Sequence, residues 1–247
     1  MQGADPIGHQ ARELNMCSDE LISESVEFIF LDHLVDVGRV MDWSDPSTAV
    51  MSRSTAAVLR SLAGSDRPIS VRQLARLADI SQTRARQVVI QLSEHGMVTV
   101  EAEPGVHLVR LNRDHVATDH AVALATLRSR VMNLLRGEFA GWHPPALHAS
   151  LYGSAARGDG STSSDIDILV VHEPLAAESE QEEWDDQLAR SGQMIYRWTG
   201  NWASWFQVSE AELGQMVSSE HSLIAEWRRD AITLVGSSFP TLLRRVR

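Results

Sequence analysis

Apolar positions along the 247-residue chain change period several times, and each change marks an element. The pattern becomes regular from Ser52, where a helix over roughly 55–62 is predicted and Gly64-Ser65-Asp66 breaks it. Ser70 then caps a helix with Leu74, Leu77 and Ala78 inward. Ser81 caps the next, with Ala85, Val88, Val89 and Leu92 inward and His95-Gly96 closing it. Residues 97–102 and 106–111 alternate as strands joined by the hairpin signal Glu103-Pro104-Gly105. One long helix, about 119–139, follows as a connector, and Pro144-Pro145 ends it. Beyond lie a strand (147–152), a glycine turn with a short helix, and a strand (166–171). An acidic helix (about 179–198), a tryptophan-rich strand (202–208) and two C-terminal helical stretches complete the pattern. Upstream, residues 21–40 are read as one loose helix.

These blocks divide the chain into an extension or loose helix (1–47), a helical-plus-hairpin domain (48–113), a linker helix (114–143) and a second domain (144–247). Helix, helix, helix, hairpin is a winged helix-turn-helix, and the run from Ile69 to Val98 resembles that of bacterial regulators. Gln82, Thr83, Arg84, Arg86 and Gln87 lie at the start of the second capped helix, where such a fold presents side chains to the DNA major groove. Charge sharpens the division. The chain carries −11, but residues 52–113 hold nine arginines against five acids. DNA is therefore expected as a partner of this domain. A protein-interaction module is the other reading, because Glu101 and Glu103 flank the hairpin tip and would repel a phosphate backbone.

The chemistry lies in the segment from Leu151 to Val171. Gly153-Ser154 end a strand and open a helix, a turn whose backbone N–H groups suit a polyphosphate. Ten residues later come Asp165 and Asp167, which strand alternation puts on one face with Cα atoms roughly 6.6 Å apart. Two carboxylates so placed repel unless a cation lies between them, and Mg²⁺ takes one or two carboxylates together with phosphate oxygens. The spacing Gly-Ser, ten residues, Asp-x-Asp resembles the signature of minimal nucleotidyltransferases. These form the branch of the DNA polymerase β superfamily that includes aminoglycoside nucleotidyltransferases and adenylylating antitoxins.

That resemblance implies an α+β fold, a winged helix-turn-helix followed by a polymerase-β-type nucleotidyltransferase domain with a mixed sheet flanked by helices. It implies that Gly153 and Ser154 bind the nucleotide and that Asp165 and Asp167 are the catalytic residues and ligands of Mg²⁺ (or Mn²⁺). Arg157 matches the usual arginine of the family, where it either reaches the phosphates or braces the turn. The implied reaction moves a nucleoside monophosphate, taken as AMP from ATP, to a hydroxyl acceptor on a protein or another molecule, in the manner of an antitoxin. Many members carry a third acid on a later strand. Here the stretch 202–209 has none, with Gln207 and Glu210 nearest and Asp185 or Asp186 as alternatives. A DNA-binding regulator with a nucleotide-sensing, inactive transferase domain is thus the rival expectation.

Composition removes other classes. Every one of the 22 basic residues is arginine, so a P-loop lysine, a kinase lysine and a Schiff-base lysine are excluded. Cys17 alone excludes an internal disulfide and a multi-cysteine zinc site. No apolar run, Phe28 to Leu31 included, approaches a membrane span, and the acidic N-terminus lacks a signal peptide's basic start, so a cytoplasmic protein with no membrane partner is expected. An oligomer is left open. Trp198, Trp202 and Trp205 are expected to pack the strand against helices rather than to stack on a base.

Overall fold

The computed structural model describes residues 41–159 and 164–246; the helix read over 21–40 lies outside them. Serine caps organise the N-terminal half. Helix α1 (Arg53–Ala63) begins where Ser52 Oγ accepts from Thr55 N, α2 (Val71–Leu77) where Ser70 Oγ accepts from Gln73 N, and α3 (Gln82–Glu94) where Ser81 Oγ accepts from Arg84 N. Between α2 and α3 the chain turns through Asp79 at φ 51°, a left-handed conformation that aspartate tolerates. Strand β1 (Ile69–Ser70) pairs with β3 (Val106–Leu111), which pairs antiparallel with β2 (Val98–Glu103). Pro104-Gly105 closes the β2–β3 hairpin, with Gly105 at φ 79° as a Pro-Gly turn demands. Ala56, Leu59, Leu74, Val88, Val109 and Leu111 fill a core between helices and hairpin.

The connector is two helices, not the single one expected. Helix α4 (Thr118–Ala125) stops at Thr126 (φ −103°, ψ 16°), and α5 (Leu127–Ala140) begins at the next residue. Two contacts explain the break. The Thr126 hydroxyl donates back to Val122 O at 2.8 Å, and Arg60 Nη1 donates to Ala125 O at 2.9 Å, drawing that carbonyl off the helical ladder.

The second half is built on a mixed sheet of order β6-β5-β4-β7. Strand β4 (His148–Leu151) runs antiparallel to both β5 (Ile166–His172) and β7 (Ile232–Gly236), while β5 runs parallel to β6 (Ala203–Ser209). A one-turn helix, α6 (Gly153–Arg157), leaves β4, and the long acidic α7 (Glu178–Thr199) makes the crossover between the parallel strands. Helices α8 (Glu210–Ser218), α9 (Ser222–Asp230) and α10 (Phe239–Arg245) follow β6, with β7 inserted between the last two. The sequence pattern read this tail as helix only. Ile232-Thr233-Leu234-Val235 is too short to show a period, and the partner that makes it a strand is β4, about eighty residues upstream.

Each face of the sheet has its own core. Helices α5 and α7 cover Ile166 and Ile168, with Phe139, Trp142 and Trp184 between them. Trp142 is the hub, with ring centroids 4.8 Å from Phe139, 5.3 Å from Trp184 and 6.2 Å from Trp205. On the other face Leu169, Val171 and Phe206 meet Trp227 of α9 and Phe239 of α10. Packing therefore accounts for Trp205 and the half-buried Trp198, as expected, but not for Trp202. That ring is 60% exposed and stacks on Tyr196 at 4.3 Å.

One segment assigned to the N-terminal extension belongs to this core instead. Residues 41–50 form a strap with a short 3-10 turn (Pro46–Ala49), and Trp43, 1% exposed, is buried in the cluster under the sheet. An isolated tryptophan has no period, so nothing in the pattern announced it. Among the described residues no helix is long and apolar enough to cross a membrane.

Candidate active site and nucleic-acid face

Asp165 immediately precedes β5 and Asp167 is its second residue, so both lie at the strand's N-terminal end, beside the turn that ends β4. Tyr152 N donates to Asp167 O at 3.0 Å, which docks the turn against the strand. Gly153 follows at φ 65°, and a Cβ placed there would collide with Asp167 Oδ2. Glycine is needed twice over, for the left-handed backbone and for the close approach. The Gly-Ser turn and the second aspartate thus make one site. Asp165 is exposed and Asp167 half-buried on the same strand face.

The electrostatics of that site are strained. Burial, then the neighbouring Asp165 and Glu226, push the Asp167 carboxyl above its usual value, and Arg157 only partly offsets them. Tyr152 is pushed up to about 12 by burial and by the charges of Asp167 and Glu226. A cation beside Asp165 and Asp167 would relieve this repulsion, so the carboxylates fit a divalent metal. Among the described residues, no group of three or more His, Cys, Asp or Glu side chains is gathered to hold one.

Of the four side chains considered in place of a third carboxylate, three are engaged elsewhere, and Asp186 is exposed on α7. Gln207 accepts from Trp184 Nε1 at 2.9 Å on the opposite face, Glu210 pairs with Arg245 at 2.6 Å, and Asp185 accepts from Gln181. Register puts Ser204 beside Asp167, so β6 offers a hydroxyl there and no charge. The acids that do face the site, Glu226 and Asp230, come from α9 and were missed. Their signal was available, since residues 226 and 230 are four apart on one helix face flanking the buried Trp227.

Arg157 is held by these acids. Its Nη1 lies 3.0 Å from Asp230 and 3.8 Å from Glu226, and its Nε 3.0 Å from Asp159. The Asp230 side chain, 6% exposed, is held down to about 2 by its bonds to Arg229 and Arg157. In this arrangement Arg157 braces the end of α6 against α9. Ser154, at the second position of α6, is half-buried.

On the helix-turn-helix, Gln82, Thr83, Arg84, Arg86 and Gln87 are all exposed on the first half of α3, while Ala85, Val88 and Val89 point inward. Arg84 is pre-set by contacts at 3.4 Å to Gln87 and to Ser52 Oγ. An open groove of about 850 Å³ runs beside them, lined by Arg72, Arg86, Ile90, Val100 and His107 among others.

Residues 143–233 match the family described as nucleotidyltransferase domain, and residues 55–102 match the IclR helix-turn-helix domain. The chain therefore carries a helix-turn-helix domain followed by a nucleotidyltransferase domain. No curated protein matches it. Solved structures with similarity include a MarR family transcriptional regulator from Silicibacter pomeroyi (23% identity, 55% of this chain and 87% of that one, TM-score 0.29). A toxin-antitoxin crystallised with AMP-PNP is another (18%, 48% and 82%, TM-score 0.29), as is a protein from Archaeoglobus fulgidus (13%, 36% and 93%, TM-score 0.27).

Proposed function

We propose that this joined pair of domains transfers a nucleoside monophosphate, AMP from ATP, to a hydroxyl on a protein acceptor, and that the helix-turn-helix domain places the reaction at DNA. The observation that carries the reading is the contact of Gly153 with Asp167, which makes a phosphate-sized turn and a charged strand edge one site. Gly153 and Ser154 bind the triphosphate through backbone N–H groups and the Ser154 hydroxyl. Asp165 and Asp167 would hold Mg²⁺, which would neutralise charge on the phosphates. The acceptor oxygen attacks the α-phosphorus, the bond to the β-phosphate's bridging oxygen breaks, pyrophosphate leaves and the acceptor's proton passes to water. Tyr152, kept neutral with its value near 12, adds no charge to the repulsion at Asp167.

A second reading keeps nucleotide binding without transfer, making the protein a nucleotide-sensing regulator. Its support is the Ser204 hydroxyl at the strand position beside Asp167, where a third acid would serve catalysis. One experiment separates the two. Full-length protein, ATP labelled at the α-phosphate, Mg²⁺ and a cell lysate are incubated, and wild type is compared with Asp165→Ala/Asp167→Ala. Label on a protein band, lost in the double variant, supports transfer. Saturable ATP binding with no label on any acceptor, from any of the four nucleotides, establishes the sensor instead.

A further inference from the structure

Helix α6 is five residues long, too short to be stable by its own hydrogen bonds, yet it begins with the turn assigned to the nucleotide. Its last carbonyls are orphaned by helical geometry and need partners from outside. The partners come from far along the chain. Arg128 of α5 extends Nη2 to Ala155 O at 3.0 Å and to Ala156 O at 3.1 Å, and Trp43 Nε1 donates to Ala155 O at 2.9 Å. The same guanidinium donates through Nη1 to Trp43 O at 3.1 Å, so arginine, tryptophan and helix end form one closed set. Gly158, at φ 75°, leaves room for it, because a Cβ there would stand 3.0 Å from Arg128 Nη1.

The set continues into the helix-turn-helix domain. Two residues beyond Trp43, Asp45 receives both Arg60 nitrogens, at 3.2 and 3.3 Å, and Arg60 also holds Ala125 O just before α5 begins. Asp45 is enclosed (6% exposed) and bonded to Ser47 Oγ as well, so the pair is rigid. Arg60 lies on α1, Arg128 on α5, and the strap 41–50 touches both.

We propose that Arg128 is a positioning residue for the nucleotide site, fixing the Gly153–Ser154 turn from behind. We further infer that the strap Trp43–Asp45 and Arg60 tie this support to the helix-turn-helix domain. The inference rests on the assignment of the turn to nucleotide. Arginine is required because one planar fork serves three carbonyls at once; lysine, a single point charge, reaches fewer. A state of α1 that shifts Arg60 therefore shifts the base of the nucleotide turn, and occupancy at the turn acts back on α1 with equal strength.

The test uses the full chain and two readouts, hydrogen exchange of the peptide covering 151–158 without ligand, and affinity for Mg·ATP by a fluorescent ATP analogue. Arg128→Met is expected to speed exchange at 153–157 and to weaken Mg·ATP about ten-fold or more. Arg128→Lys, which keeps charge and length, recovers part of both and guards against a variant that fails to fold. Arg60→Met is expected to speed exchange at 41–50 and, to a smaller extent, at 153–157. Unchanged exchange and affinity in both Arg128 variants overturn the positioning role, and unchanged exchange at 153–157 in Arg60→Met overturns the link to the other domain. Failure of the wild type to bind Mg·ATP instead refutes the nucleotide assignment, and the exchange readout still decides whether Arg128 holds the turn.

Discussion

Two helices of this protein open onto a proposed ligand, and they are supported in opposite ways. Helix α3 has thirteen residues, and its first turn is held by the adjacent Ser81, three residues from the amide it caps. Helix α6 has five, and it is held by Arg128 and Trp43, 27 and 112 residues away. Helix α3, proposed to read DNA, is thus a local unit carried on a domain, whereas the turn proposed for nucleotide is a product of the whole assembly. A helix that must slide into a groove gains from autonomy. A turn that must meet a carboxylate closely enough to forbid a Cβ on Gly153 gains from being fixed from several directions.

The largest expected effect breaks the second kind of support. Trp43→Ala removes a fully buried indole and one of the caps of α6, and should destabilise the protein by about 3–5 kcal/mol. Chemical denaturation checks this, and a loss below about 1 kcal/mol would mean the strap is dispensable. Next comes the local cap. Ser81→Ala should cost about 1 kcal/mol and weaken DNA binding, while Mg·ATP affinity stays unchanged. Equal damage at both sites would erase the contrast between the helices.

The smallest effect concerns β4, the strand that delivers the turn. His148 is fully buried, its Nδ1 bonded to Ser237 O at 2.7 Å, and burial pulls its value below the ordinary 6.5. The unfolded chain therefore takes up the proton first. Stability from the neutral ring is complete above pH 6.5 and is lost as pH falls below it, by at most about 0.7 kcal/mol between pH 7 and 6. Thermal melts across that range should show the slope, and His148→Phe should flatten it.

The same local-versus-remote difference explains what was legible beforehand. Ser70 and Ser81 delimit α2 and α3 within a few residues, because caps and periods are short-range signals, although Leu77, expected inward, is 57% exposed at the end of α2. Gly153-Ser154 and Asp165-x-Asp167 stand out in the sequence by their spacing, and the structure brings Gly153 against Asp167. What escaped notice depends on residues distant in sequence. The break at Thr126 needs Arg60, strand β7 needs β4, and the burial of Trp43 needs a sheet formed more than a hundred residues later. Glu226 and Asp230 share a helix face in the sequence, but only the placement of α9 beside Arg157 makes that face part of the site. The Arg157 question, phosphate or brace, is likewise one of geometry, and the three carboxylates around its guanidinium favour the brace.

The strap also sets a timetable for biosynthesis. Trp43 precedes Ala155, the carbonyl it caps, by 112 residues, which at roughly 5–20 residues per second leaves an interval of roughly 6–22 s on the ribosome. Every buried residue of the helix-turn-helix core is made by Ala125, thirty residues before Ala155. Arg60, only fifteen residues after Asp45, is made long before the carbonyl that Trp43 caps. The indole of Trp43 therefore waits for its partner carbonyl far longer than Asp45, two residues on, waits for Arg60.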